Sequence, residues 1–168
     1  MVKCIIFDWG GTIGFHKKRS SNLHKDSTID LKKLREIYLF PDTVHTLKYL
    51  KSRGYKIAIV TNSDLNTNHN IEIMIALEIY NFVDLVLSSG DENMCEKPCS
   101  KIFTYACEKL KVNPKDCEYV GNNYLNDVIG SKKLGMVSVY LEDPKYNKYK
   151  NQTEDYCIKS LKELMKIF

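Results

Sequence analysis

The chain has 168 residues, 43% of them hydrophobic and 27% charged, a length at which one domain buries about two thirds of the surface of its unfolded form. Its formal net charge of +4 is spread along the sequence, which favours mild attraction to anionic ligands and argues against a nucleic-acid footprint. No apolar stretch approaches the roughly 20 residues of a membrane helix, and six scattered cysteines without an apolar leader indicate a cytoplasmic protein with reduced thiols.

Short apolar segments recur along the chain and predict the strands of a parallel sheet. A central parallel strand is covered on both faces, so it is uniformly apolar rather than alternating. The predicted strands are residues 5–7, 57–60, 85–87, 119–120 and 137–141, and the predicted helices are 44–54, 102–110 and 158–168. This alternation predicts an α/β fold, a doubly wound parallel sheet with right-handed crossovers.

Two polar segments interrupt this pattern. Residues 14–30 are polar and basic without an apolar period, which predicts a loop, followed by a short helix at 31–38. In the second segment, 142–156, lysines alternate with Tyr146 and Tyr149, a combination that could stack single-stranded nucleic acid. We favour a solvated surface loop, because no other part of the chain forms a basic stripe.

Polar groups follow four of the predicted strands. Each alone has an ordinary structural explanation, as a turn residue, a helix cap or a surface lysine. Because parallel strands end at the same edge of a sheet, where open α/β sheets bind ligands, we expect the groups to converge in one cleft. In chain order they are Asp8 with the turn Trp9-Gly10-Gly11-Thr12, Thr61-Asn62, Lys97 before Pro98, and Gly121-Asn122 with Asp127.

This ordered set resembles the haloacid dehalogenase superfamily, whose members are mostly phosphatases. The resemblance runs from Lys3 to about Leu141. It implies a Rossmann-like core, one domain spanning residues 1–168, and the loop at 14–30 in the position of the family's cap, with no substantial cap domain.

The resemblance also implies a role for each group. Asp8 would be the nucleophile that forms an aspartyl-phosphate, with Thr61, Lys97 and Asp127 completing the catalytic set. The backbone amides of the turn would face the phosphoryl oxygens, as in an anion nest. The implied phosphate-binding residues are Trp9, Gly10, Gly11, Thr12, Asn62 and Lys97, and the implied Mg²⁺ ligands are Asp8, Gly10 through its carbonyl, Asn122 and Asp127.

Two positions depart from the phosphatase pattern. Gly10 stands where a second aspartate would protonate the leaving group, so we expect slow hydrolysis of alkyl phosphates and faster hydrolysis of activated ones. Asn122 replaces a metal-binding aspartate. Its amide oxygen suits Mg²⁺ but carries no charge, so we expect weak metal binding that Asn122→Asp would strengthen.

Cys95 and Cys99 flank Lys97 in the sequence. Their spacing alone could suggest metal binding. Two thiols without a further pair of cysteines or histidines do not make a zinc site, so we expect ordinary free thiols.

Three functions remain open from the sequence. The first is a Mg²⁺-dependent phosphohydrolase acting on a phosphorylated small molecule or on an exposed phosphate of a larger partner. The second is a degenerate module that binds a phosphorylated ligand or a protein without turnover. The third is a dehalogenase, which Gly10 disfavours because that branch carries an aromatic hydroxyl at this position. The sequence identifies neither the substrate nor the oligomeric state.

Overall fold

The computed structural model of the chain describes residues 3–16, 36–143 and 153–168. Within these ranges, six parallel strands form one sheet in the order β5-β4-β1-β6-β7-β8, and β2 pairs antiparallel with β3. Strand β1 lies inside the sheet between β4 and β6. The strands are β1 (Cys4–Phe7), β2 (Gly14–His16), β3 (Ile37–Leu39), β4 (Lys56–Thr61), β5 (Leu85–Ser88), β6 (Cys117–Gly121), β7 (Val137–Leu141) and β8 (Tyr156–Ile158).

Helices cover both faces of the sheet. The α-helices are α1 (Thr43–Ser52), α2 (Thr67–Ala76), α3 (Ser100–Leu110), α4 (Gly130–Lys132) and α5 (Leu164–Ile167); 3₁₀ turns lie at Tyr80–Phe82, Pro114–Asp116 and Leu161–Glu163, and a π-helical segment lies at Tyr124–Ile129. Alternate β1 residues belong to different cores: Ile5 and Phe7 pack with α1 and α2, whereas Ile6 packs with α3. The predicted doubly wound α/β fold is confirmed. Across the described ranges, no helix is long and apolar enough to cross a bilayer.

All five predicted strands and the predicted helices at 44–54 and 102–110 are present. The segment around β2 and β3 differs from the prediction. Residues 14–16, predicted as loop, pair with residues 37–39, predicted as helix, because this pairing buries Ile37 while it satisfies both backbones. The rest of the predicted loop, 17–30, and residues 31–35 of the predicted helix lie outside the described residues.

The predicted helix at 158–168 is also wrong in its first part. Ile158 ends β8, which pairs with β7 at the edge of the sheet, so its backbone hydrogen bonds are used in the ladder. Helical structure starts only after Ser160, where Oε1 of Glu163 accepts a hydrogen bond from the Ser160 amide at 3.1 Å. Of the predicted loop 142–156, residues 144–152 lie outside the described ranges, and Tyr156 belongs to β8.

Cys95 and Cys99 form a disulfide, so the expectation of free thiols is wrong at these two positions. The segment before α3 turns back on itself and brings the two Cα atoms to 6.1 Å, a separation that suits a disulfide. Cys4, Cys107 and Cys117 are buried free thiols, and Cys157 is exposed.

Candidate functional site

An open cleft of about 130 Å³ lies at the carboxyl ends of the central strands. Asp8 follows β1, Thr61 ends β4, and Asn122 follows β6, so the crossover topology alone brings them to one edge. The expected residues that line the cleft are Asp8, Gly10, Thr61, Asn62, Lys97, Asn122 and Asp127. The expected Trp9, Gly11 and Thr12 do not line it, whereas two unforeseen asparagines, Asn123 and Asn126, do.

Lys97 is the centre of the cleft. Its Nζ donates to Asp8 Oδ1 at 2.6 Å, to Asp127 Oδ1 at 2.8 Å and to the Tyr119 hydroxyl at 2.8 Å. These bonds occupy all three ammonium protons. The residue is only 4% exposed, and burial by itself lowers the pKa of a lysine. Asp127 and Asp8 outweigh that effect and hold the pKa of Lys97 well above its usual value.

Tyr119 belongs to the site, and the sequence did not reveal this. The hydroxyl that accepts from Lys97 also donates to the Val60 carbonyl of β4 at 3.0 Å. Burial raises the pKa of Tyr119 well above its usual value, so the proton stays available for this bond. Tyr119 therefore ties Lys97 to the neighbouring strand.

Asn62 holds the main chain of Lys97. Its Oδ1 accepts from the Lys97 amide at 2.8 Å, and its Nδ2 donates to the Lys97 carbonyl at 3.1 Å. The adjacent Thr61 is 2% exposed, and its hydroxyl makes only a long contact, 3.4 Å, with the Asn62 carbonyl. The Asn62 side chain therefore positions the lysine loop, while the Thr61 hydroxyl can turn toward a ligand.

Both oxygens of Asp127 are engaged within the protein. Oδ1 accepts from Lys97, and Oδ2 accepts from the Asn123 amide at 2.9 Å. A Cβ at Gly121 would lie 2.3 Å from Oδ2, so this close approach requires glycine there. Burial raises the pKa of Asp127 to about 6 in spite of Lys97. Its arrangement suits holding the lysine rather than facing a cation directly.

The turn after Asp8 is internally bonded. The Trp9 carbonyl accepts from the amides of Ile13 at 3.0 Å and Gly14 at 3.1 Å, and the Gly11 amide donates to the Gly14 carbonyl at 2.8 Å. The expected orientation of the Gly11 amide toward a phosphate is therefore not observed, because that donor closes the turn.

The remaining oxygens of the cleft suit a hard cation such as Mg²⁺. Lys97 bonds Asp8 Oδ1, while the Thr12 hydroxyl makes long contacts with Asp8 Oδ2, 3.5 Å, and with Asn122 Oδ1, 3.4 Å. Asp8, Gly10 and Asn122 all line the cleft, and carboxylate, carbonyl and amide oxygens are ligands of the kind that Mg²⁺ prefers. In the part of the chain that the structure describes, no cluster of three or more His, Cys, Asp or Glu residues could hold a metal. A cation here would therefore be held by the Asp8 carboxylate together with neutral oxygen donors.

Asp143 is a second residue that the sequence did not reveal. It lies two residues beyond the end of β7, and its Oδ2 accepts a hydrogen bond from Asn122 Nδ2 at 3.0 Å. It lines not the cleft of Lys97 but a neighbouring cleft of about 410 Å³, to which Gly11 and Thr12 also contribute. A carboxylate two residues after a predicted strand was the signal that could have identified it.

The chain is similar in sequence to known hydrolases. The family model of haloacid dehalogenase-like hydrolases matches residues 14–135. The chain is 33% identical over 129 residues to a glyceraldehyde 3-phosphate phosphatase of Methanocaldococcus jannaschii, a match that covers 76% of this chain and 55% of that protein. It is 34% identical over 108 residues to (S)-2-haloacid dehalogenase 4A of Burkholderia cepacia, covering 62% and 44% respectively. The chain thus spans about half the length of these curated relatives.

A solved structure shares the fold over almost its whole length. The crystal structure of a HAD phosphatase from Thermococcus onnurineus matches this chain with a TM-score of 0.79 at 23% sequence identity. The match covers 99% of this chain and 97% of the other. At this identity, the likeness shows the fold alone.

Proposed function

The chain belongs to the haloacid dehalogenase-like hydrolases, and from that membership we propose that it is a Mg²⁺-dependent phosphohydrolase with Asp8 as its nucleophile. The observation that carries the proposal is the buried Lys97, which bonds Asp8 and Asp127 in one cleft. A phosphoryl group that approached Asp8 would meet this cation, and a fixed cation stabilises the charge that develops during transfer.

The reaction has two displacement steps. A carboxylate oxygen of Asp8 forms a bond to phosphorus while the bond from phosphorus to the leaving oxygen breaks. Water then attacks the aspartyl-phosphate, which releases phosphate and restores the carboxylate. Asp127 and Tyr119 keep the Lys97 ammonium in place beside Asp8 through both steps.

The transferred phosphate is held by donors of the cleft. The Thr61 hydroxyl and the backbone amide of Asn62 are its donors on the β4 side, and the backbone amide of Gly10 is its donor on the β1 side. Lys97 contacts both sides, since the Asn62 side chain bonds its main chain and its Nζ donates to Asp8. This arrangement favours a compact anion over an extended apolar ligand.

Mg²⁺ would be held by a carboxylate oxygen of Asp8, the Gly10 carbonyl and Asn122 Oδ1, with Asp127 acting only through water. When bound, the ion would offset the negative charge of the phosphate as it meets Asp8. The oxygen donors of the cleft fit this ion.

Gly10 determines the substrate class. No carboxylate at this position protonates the leaving oxygen, so acyl and aryl phosphates, whose leaving groups need no proton, are the preferred substrates. The substrate is a phosphorylated small molecule or an exposed phosphate on a larger partner, and the proposed location is the cytoplasm. We propose that residues 1–168 act as one domain of this kind.

A second candidate is a module that binds a phosphorylated ligand without turnover. The neutral residues at positions 10 and 122 favour it, because they remove the leaving-group acid and one metal carboxylate. The dehalogenase alternative is weaker, since Gly10 offers no aromatic hydroxyl.

An assay of an acyl and an aryl phosphate with added Mg²⁺ separates these functions. We expect hydrolysis that a chelator abolishes and that Asp8→Asn eliminates, while phosphate binding persists in the variant. Binding without hydrolysis of either substrate would assign the module instead.

A further inference from the structure

Asn122 stands between the cleft and a carboxylate outside it. Its side chain is almost fully buried at 3% exposure, and its two polar atoms have different partners: Nδ2 donates to Asp143, and Oδ1 accepts from Thr12. We propose that Asp143 is a positioning residue of the metal site, which orients the amide of Asn122 and supplies the charge that this amide lacks. The inference rests on the proposed Mg²⁺ dependence.

The orientation follows from hydrogen-bond chemistry. A carboxylate only accepts, so the NH₂ of Asn122 must face Asp143, and the carbonyl end of the amide must face the other way. That direction leads to the Thr12 hydroxyl, which is also in contact with Asp8 Oδ2. Gly11 makes room for the amide, because a Cβ there would lie 2.2 Å from Asn122 Nδ2. Asp143 thus presents an oxygen, rather than an NH₂ group, toward Asp8.

The charge balance points in the same direction. In the cleft, the Lys97 cation faces two carboxylates, Asp8 and Asp127, and both are bonded to it. This leaves only one net negative charge for a divalent ion. Asp143 adds a carboxylate only one hydrogen bond away from Asn122. Partners of this outer kind typically change metal affinity by about 10–100-fold.

The topology explains how a residue so distant in sequence reaches this position. Strand β7 pairs with β6 in parallel, with Tyr140 opposite Gly121. Residues that follow the two strands therefore emerge side by side at the same edge of the sheet. Asn122 and Asp143 meet there; Asn122 lines the cleft of Lys97, and Asp143 lines the other cleft.

The test is a calorimetric titration with Mg²⁺ alone, so it does not depend on activity. We expect Asp143→Asn to weaken binding about tenfold or more. Glu142→Gln removes the same charge from the adjacent position and should change affinity less than about threefold, since outer-shell effects depend on bonding to the ligand residue. Thermal unfolding and circular dichroism check that each variant is folded.

A charge exchange makes the test sharper. The double variant Asn122→Asp/Asp143→Asn moves the carboxylate to the position nearer the cleft and keeps one hydrogen bond between the two side chains. We expect it to bind Mg²⁺ at least as tightly as the native chain, because the carboxylate then lies nearer the ion.

The outcomes distinguish this inference from the proposed function. If the native chain binds Mg²⁺ and Asp143→Asn binds it equally well, the role of Asp143 is overturned, and the metal dependence stands. A double variant that binds no better than Asp143→Asn overturns the role of Asp143 in the same way. A native chain that binds no Mg²⁺ at millimolar concentration overturns both.

Discussion

Replacing Gly10 by aspartate should give this chain the leaving-group acid that it lacks. The structure admits the new side chain: a Cβ built on Gly10 meets no atom within 4 Å, and Gly10 is not among the glycines with positive φ. The residue lines the cleft beside Asp8. A carboxyl group there can therefore reach the cleft without backbone strain or displacement of a neighbour.

The expected gain depends on the leaving group. General acid catalysis is typically worth about 10²–10⁴-fold, which corresponds to about 3–5 kcal/mol of activation free energy. An alkyl phosphate, whose alkoxide needs a proton, should gain most of this factor. An aryl phosphate should gain much less, because its phenolate leaves without one. Gly10→Asp should therefore narrow the ratio of aryl to alkyl rates at least tenfold.

The assay compares kcat/KM for one aryl and one alkyl phosphate at saturating Mg²⁺. Gly10→Asn is the matched control, because it has nearly the same size and cannot donate an acidic proton. Equal acceleration by Gly10→Asn and Gly10→Asp would show that the side chain acts by filling space. If both variants fold and the rate ratio is unchanged, the assignment of position 10 to the leaving group is wrong.

Three further predictions concern the buried charges. Lys97→Met should lower the free energy of unfolding by about 3–5 kcal/mol, measured by urea denaturation, because it leaves two buried carboxylates without their cation. Tyr119→Phe should lower the free energy of unfolding by about 1–3 kcal/mol, because the Val60 carbonyl and one Lys97 ammonium proton lose their hydrogen-bond partner. A variant as stable as the native chain would contradict this role of Tyr119. Burial and the nearby Asp155 raise the pKa of Glu118 to about 8, so the folded chain holds a proton that the unfolded chain releases. The contribution of protonated Glu118 to the free energy of unfolding is fully present below about pH 4.5. It is lost as the pH rises to about 8, by up to about 1.4 kcal/mol per pH unit. Glu118→Gln should flatten this slope in unfolding curves.

The core of the fold was predictable because parallel strands covered on both faces are uniformly apolar. The shortest elements were not. Strands β2, β3 and β8 have three residues each, too few for a hydrophobic period to appear. Helix α2 escaped prediction as well, since isoleucines occur on more than one of its faces and only the cap at Asn66 marks its start.

The candidate site also contains residues that the sequence predicted and residues that only the structure shows. Its residues at strand ends were predictable, because topology carries them to one edge of the sheet. Tyr119 was not, since a tyrosine inside an apolar strand is usually core, and only the structure shows that its hydroxyl meets Lys97. The bond from Asn122 to Asp143 spans 21 residues and depends on the pairing of β6 with β7. The Cys95–Cys99 disulfide depends on a turn that residue spacing does not encode.

The buried charges favour an active site over a degenerate module. A cation and two carboxylates buried together are costly, because desolvation can exceed their mutual attraction, and apolar side chains of similar volume are often as stable or more so. Lys97 is nonetheless buried there with all three ammonium protons hydrogen-bonded, and the Asn62 side chain bonds its main chain. Such an arrangement stabilises a transferring phosphoryl group better than it stabilises the fold. A double variant that makes the cluster apolar, Lys97→Met/Asp127→Leu, should therefore be no less stable than Lys97→Met alone and should lack all phosphatase activity. If this variant retained hydrolysis, the ion cluster would be structural, and the assignment of catalysis to this cleft would be wrong.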